Sequence, residues 1–179
     1  KGLAANLFIG GIAHEDDTKC GPWMREFAKW MSDPRLKGRF VYLPEYSERL
    51  RTRAVRGADI WVSCPWKRME ACGTSDFGAK MNGNINVATC GGGIREHGGE
   101  IDATLGTGDT LFIEPYNAEM LYLQLSRATG WMYDFLENGS EAWPRLRMNN
   151  FMRGADLDVS RMIEKYEKRC FEPLIMERQ

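Results

Sequence analysis

The chain has 179 residues, 24 Lys plus Arg against 25 Asp plus Glu, a formal net charge of −1 and 43% hydrophobic residues. That length accommodates one domain with a substantial core. The balanced charge, with no polybasic run, gives no electrostatic reason to expect nucleic acid or an anionic membrane as partner. Cys20, Cys64, Cys72, Cys90 and Cys170 are widely spaced and include no Cys-x-x-Cys pair, which suits reduced thiols in a cytoplasmic protein and argues against a disulfide scaffold or a metal site. No leader segment and no run long enough to span a bilayer is visible.

In chain order, Leu7 to Gly10 predicts a buried strand. Trp23, Phe27, Trp30 and Met31 then recur at helical spacing behind Gly21-Pro22, predicting an amphipathic helix with that face inward. Arg39 to Leu43 predicts a second strand, Ser47 caps a helix that turns Leu50, Ala54 and Val55 inward, and Gly57 closes it before a third strand, Ile60 to Cys64. The Thr74-Ser75 turn opens a helix running to Asn82-Gly83. Asn84 to Thr89 predicts a fourth strand ending in Gly91-Gly92-Gly93, and Glu96 to Gly108, polar and glycine-rich, predicts a mobile loop. Asp109 to Glu114 predicts a short fifth strand before a helix from Asn117 to Glu137, with Met120, Leu121, Leu125, Trp131, Met132 and Phe135 as its packing stripe. Two further helices, Trp143 to Met152 and Val159 to about Phe171, have no strand between them.

This alternation predicts an α/β fold, a doubly wound parallel sheet of Rossmann-like type with right-handed crossovers. Residues 1–179 read as a single domain, with about 1–140 forming sheet and helices and about 141–179 the C-terminal helices. The chain enters a strand almost at once after Lys1, which predicts a piece of a larger protein. Loops at Gly10-Gly11, Gly73 and Gly91-Gly92-Gly93 each follow a strand and are expected at one C-terminal edge, where such sheets bind ligands. Gly11, Gly92 and Gly93 are the candidate loop contacts.

The stretch Glu70-Ala71-Cys72-Gly73-Thr74-Ser75 joins a strand to a helix start, a turn that bares backbone N–H groups beside a positive helix end. Such a turn favours a phosphate, a sugar or both; plain N-capping by Thr74 or Ser75 is the competing reading. His14 and His97 lack metal-ligand partners at local spacing, and Arg95, Glu96 and His97 read as a solvated loop. Tyr46, Trp61 and Trp66 lie beside strands and read as core rather than as sugar-stacking rings. Asp76-Phe77-Gly78 coincides with the metal-binding word of protein kinases, but no His-Arg-Asp loop or glycine-rich hairpin accompanies it.

Residues Glu70-Ala71-Cys72-Gly73-Thr74-Ser75-Asp76-Phe77-Gly78-Ala79-Lys80-Met81-Asn82 resemble the signature Glu-Ala-Ser/Cys-Gly-x-Gly/Ser-x-Met-Lys-x-x-Leu/Met-Asn of the α-glucan phosphorylases, the glycogen and maltodextrin phosphorylase family. They depart from it at Phe77 and Gly78. Collinear words carry the resemblance further: Phe8-Ile9-Gly10-Gly11-Ile12-Ala13-His14, Phe40-Val41-Tyr42-Leu43-Pro44-Glu45-Tyr46, Ala58-Asp59-Ile60-Trp61-Val62, and then Arg147-Met148, Arg161-Met162, Glu164, Tyr166 and Pro173. Ile12 stands where the family has a lysine.

The resemblance implies the C-terminal half of a GT-B glycosyltransferase, with a missing N-terminal domain as the partner toward which the C-terminal helices pack. It also allows a homo-oligomer. The implied chemistry is reversible phosphorolysis of α-1,4-glucan to glucose 1-phosphate, so a glucan or sugar phosphate is the implied ligand. By the same resemblance Glu70 accepts a hydrogen bond from a sugar hydroxyl, the amides at Cys72 and Gly73 meet adjacent hydroxyls, and Thr74 and Ser75 hold a phosphate. The family's cofactor is pyridoxal phosphate, tethered by a lysine where this chain has Gly78, so covalent attachment is not expected here. Lys80, about 200° further around a helix of 3.6 residues per turn, reads as a solvated surface lysine pointing away from the site. The family's phosphate-clamping arginine and lysine fall upstream of Lys1, and no catalytic residue is assigned. Two other readings stay open, a nucleotide-sugar-dependent GT-B transferase and a non-catalytic sugar- or glucan-binding homologue.

Overall fold

All strand pairings among the described residues are parallel, as strands joined through intervening helices must be. The computed structural model describes residues 5–70 and 72–177. Ala71 of the signature lies outside them. The chain divides into two compact units, Lys1–Ala54 and Val55–Gln179. The five strands form two sheets, β1-β2 and β3-β4-β5, where the sequence predicts one.

In the first unit, β1 (Leu7–Gly10) pairs with β2 (Phe40–Leu43) from Leu7 opposite Phe40 to Gly10 opposite Leu43. Between them runs α1 (Cys20–Ser32). Its Phe27 meets Trp30, Phe40 and Tyr42 at ring-centroid distances of 5.5, 6.2 and 5.4 Å. One helix covers one face of a two-stranded ribbon, so Phe40 and Tyr42 are buried while Leu7 and Phe8 are exposed. The expectation of a buried first strand therefore fails. The inward stripe of α1 also fails in part, because Trp23, Trp30 and Met31 are exposed. Next comes α2 (Glu48–Gly57), opened by the Ser47 hydroxyl, which accepts from the Leu50 N–H at 3.3 Å. The boundary between the units falls inside this helix.

The second unit carries β3 (Ile60–Ser63), β4 (Ile85–Ala88) and β5 (Thr110–Phe112), with β4 central and wholly buried. Helices α3 (Ser75–Lys80) and α4 (Gly92–His97) are short; α5 (Ala118–Asn138) and α6 (Ala142–Gly154) are long. Asn117 caps α5 by accepting from Met120 N–H at 2.8 Å, and Gly139, at φ 72°, ends it. Ile85, Val87, Ile101, Leu111, Ile113, Ala128, Trp143 and Leu146 form the core, and the α5 residues Met120, Leu121, Leu125, Trp131 and Met132 pack on it. Beyond α6 the chain continues through a 3₁₀ turn to α7 (Val159–Tyr166), a π-helical turn and α8 (Glu172–Met176).

The segment Glu96 to Gly108 is tied down, contrary to the mobile loop predicted. Ile101 is buried and its N–H donates to Thr110 O at 3.0 Å, while Asp102 N–H donates to Thr107 O at 3.0 Å. Side chains from two helices hold its carbonyls, Arg127 at Ile101 and Arg145 at Ala103. The glycines that suggested mobility are there for packing: a Cβ on Gly108, at φ 75°, would sit 2.0 Å from Glu100 O.

Candidate functional site

Because β3, β4 and β5 are parallel, the residues that follow them emerge at one edge. The connection from β3 to α3 lies there and is anchored at several points. Thr89, after β4, donates its hydroxyl to Pro65 O at 3.0 Å, and Tyr116, after β5, donates to Cys64 O at 3.1 Å. Lys67 pairs with Glu114 at 2.7 Å, and Trp66 meets Tyr116 at 6.0 Å between ring centroids. Trp66 is nevertheless 73% exposed, so its expected place in the core is corrected. Trp66 O accepts from Met69 N–H at 2.9 Å, closing a turn in which Arg68 takes φ 71°.

Glu70 follows that turn and folds its carboxylate over Gly73. A Cβ on Gly73 would stand 2.9 Å from Glu70 Oε1 and 3.1 Å from Oε2. The next glycine loop meets this one: a Cβ on Gly93 would lie 2.7 Å from Cys72 Sγ and 2.6 Å from the Phe77 ring. Glu70, Cys72, Gly73 and Gly93 are thus brought together, and the packing of Cys72 and Phe77 on Gly93 leaves no room for a side chain there. Gly92, exposed and at φ 50°, opens α4, a helix that the run of glycines concealed from a reading of the sequence. Gly11 belongs to the first unit, where a Cβ would meet nothing within 4 Å.

Thr74 precedes α3 without a side-chain capping bond. Among the described residues the N–H groups of Gly73 and Thr74 donate to no protein acceptor, and Ser75, first in the helix, has an N–H that helix geometry leaves open. Among the described residues, then, no hydrogen bond occupies the Gly73 and Thr74 amides, and no side chain caps α3.

Asp76 is the residue that sequence reasoning passed over, since the signature leaves its position unspecified. Its side chain is 1% exposed and Oδ1 has no hydrogen-bond partner. Burial pushes its carboxyl up to about 6; the Ser63 hydroxyl opposes the rise, and the charge of Glu70 adds to it. The Cys64 thiol beside it is likewise raised, by burial first and then by the Asp76 charge.

Lys80 is not at the surface. It is 1% exposed, with Nζ 2.9 Å from Asp109 Oδ2 and 3.1 Å from His97 O. Arg153 Nε reaches the same Asp109 oxygen at 2.5 Å, and Gly99 N–H donates to Asp109 Oδ1 at 2.9 Å. Lys80 reaches inward to Asp109, the residue before β5, where the ion pair offsets the loss of hydration. Away from this edge, a groove of about 400 Å³ lined by Asn82, Phe135, Trp143, Arg147, Met148 and Phe151 lies beside the residues that enter β4. No group of three or more potential metal ligands occurs among the described residues, and no helix there is long and apolar enough to cross a membrane.

The fold defines an α/β protein of Rossmann-like class. A solved structure shares that fold, the catalytic domain of starch synthase IV from Arabidopsis thaliana bound to ADP and acarbose, with a TM-score of 0.59, 17% identity, and coverage of 82% of this chain and 34% of that one. No family model matches the chain. Among curated proteins, glycogen phosphorylase of Mycobacterium tuberculosis (strain ATCC 25618 / H37Rv) is 25% identical over 175 residues, 93% of this chain and 20% of that protein. Glycogen phosphorylase of Aquifex aeolicus (strain VF5) is 33% identical over 86 residues, 48% of this chain and 12% of that protein. Maltodextrin phosphorylase of Thermococcus litoralis is 28% identical over 86 residues, 48% of this chain and 10% of that protein. The chain is thus similar in sequence to glycogen and maltodextrin phosphorylases and spans about a fifth of the length of the first of these relatives.

Proposed function

We propose that this chain carries the glucosyl- and phosphate-binding elements of an α-glucan phosphorylase-like glycosyltransferase of GT-B architecture. The whole protein's reaction on this reading is phosphorolysis of α-1,4-glucan to glucose 1-phosphate. The observation that carries the reading is the Glu70 carboxylate folded over Gly73, with Cys72 against Gly93, at the edge where β3 and β4 end. A carboxylate held there accepts hydrogen bonds from sugar hydroxyls, charge-assisted bonds that discriminate hydroxyl geometry. Beside it, Thr74 and Ser75 offer hydroxyls and amides to a phosphate. The remaining length of the relatives leaves room for the partner domain of a two-domain enzyme, whose acceptor side faces this edge.

The family's pyridoxal phosphate does not fit here as a covalent group. On the resemblance of the signature words, Gly78 stands where the family has its tethering lysine, and it has no amine. The nearby amine, on Lys80, is buried and engaged by Asp109 at 2.9 Å, whereas a Schiff base needs an amine open to the aldehyde.

Titration calorimetry on the full chain tests the reading. Glucose 1-phosphate binds, and Glu70→Gln weakens it by about 10- to 100-fold, the worth of a hydrogen bond to a charged group. Gly73→Ala does the same by displacing the Glu70 carboxylate, with little change in melting temperature because the atoms it meets end a flexible side chain. Tighter binding of ADP than of glucose 1-phosphate overturns the proposal in favour of a nucleotide-sugar transferase.

A further inference from the structure

A phosphate beside Glu70 and Asp76 needs a cation, and the cations at this edge are mostly spent. Lys67 is paired with Glu114 at 2.7 Å. Arg95, on α4, is exposed and makes no hydrogen bond or ion pair among the described residues, acting on Glu114 only weakly and through space. Lys80 and Arg153 converge on buried Asp109. Arg68 differs from the paired cations in its freedom and from Arg95 in its backbone. It is exposed, and its side chain has no hydrogen bond or ion pair among the described residues.

Its backbone is also in a conformation that an arginine does not choose. Arg68 sits at φ 71°, the one non-glycine residue with positive φ among those described. It is the third residue of the Trp66 to Met69 turn, a position that favours glycine or asparagine when φ is positive. The chain entering the turn is held in place by the ion pair at Lys67, the Trp66–Tyr116 ring contact and the bonds to Pro65 and Cys64. Strain of this kind persists where the surrounding structure over-determines it and gathers at ligand sites. An arginine in a glycine position, two residues before Glu70, is explained by its side chain rather than by its backbone.

We propose that Arg68 is the anion-recognising residue of this edge, its guanidinium gripping the phosphoryl group of the ligand whose sugar Glu70 meets. The inference rests on the function proposed above for the sugar but makes its own demand on the phosphate. Guanidinium and phosphate pair through two parallel N–H···O bonds, which adds direction to charge. Arg68 thereby fills the role for which the amides at α3, a helix of six residues, are too few.

Three ligands and two variants on the full chain test this: glucose, inorganic phosphate and glucose 1-phosphate against the parent, Arg68→Gly and Arg68→Lys. Glycine suits the turn, so R68G keeps the loop while removing the side chain with its guanidinium. R68G is expected to weaken phosphate and glucose 1-phosphate about tenfold or more, to leave glucose unchanged and to flatten the salt dependence; R68K recovers part of the loss. Phosphate binding that R68G abolishes, with no glucose binding in any form, upholds Arg68 and fells the glucosyl reading. Equal phosphate affinity in R68G and the parent, or no phosphate binding in the parent, overturns the inference.

Discussion

Asp76 and Asp109 are both buried, yet they respond to pH in opposite senses. Asp76 has no cation in contact, so burial raises its carboxyl from the ordinary 3.8 to about 6. Burial also acts against ionised Asp109, but Gly99 N–H, Lys80 and Arg153 outweigh it and bring that carboxyl below its ordinary value. The signs follow from linkage. Asp109 contributes stability that is present above the unfolded value and lost as pH falls through the folded one. Folded Asp76 holds a proton that the unfolded chain releases, so its cost appears as pH rises from about 4 to 6 and is complete above 6. At about 1.4 kcal/mol per unit the cost is on the order of 3 kcal/mol. The two windows do not overlap, so one variant isolates the first. Asp76→Asn is expected to raise urea-measured stability at pH 7.5 by about 2–3 kcal/mol and to remove the decline between pH 4 and 6. An unaltered pH profile would mean that Asp76 is hydrated in the folded chain.

At the scale of elements, α3 and α6 pack so closely that backbone meets backbone. A Cβ on Gly154 would lie 2.9 Å from Met81 Cα and 3.2 Å from Met81 N, and neither atom can swing aside. Arg147 donates to Gly83 O at 3.0 Å and Asn150 to Asn84 O at 2.5 Å across the same seam. Gly154→Ala is therefore expected to cost about 1–3 kcal/mol. Gly130→Ala, in α5 with nothing within 4 Å, is expected to gain about 0.5–1 kcal/mol; chemical denaturation of the two variants reads the difference in sign. This seam marks the limit of what the sequence discloses. The apolar runs around Val62, Val87 and Leu111 and the caps at Asn117 and Gly139 name strands and helix ends, because periodicity and turn chemistry are local. Lys80 shows where that stops: its angle on α3 is local, but Asp109 is 29 residues away, and only the fold brings the two together. The same holds for the site. Glu70, Cys72 and Gly73 were legible as a motif, and their meeting with Gly93 followed from strand order. Asp76 and Arg68 became visible only through burial and a backbone angle.

At the scale of the whole molecule, the C-terminal helices are anomalous. No residue of α7, the π-helical turn or α8 is buried. Val159, Met162, Ile163, Tyr166, Phe171, Leu174, Ile175 and Met176 are all exposed, although apolar faces of that size ordinarily find cover. Within the second unit the core is complete without them, since its residues end at Leu146. Deleting 159–179 should thus leave the melting temperature of the second unit within about 2 °C of the parent, well under what losing even one buried leucine costs in a protein of this size. The same deletion should reduce binding of a dye that reports exposed apolar surface. A fall of more than about 5 °C would mean that these helices cover the core in solution. Stability held with dye binding reduced would show that these helices carry exposed apolar surface to which the core of the second unit owes nothing.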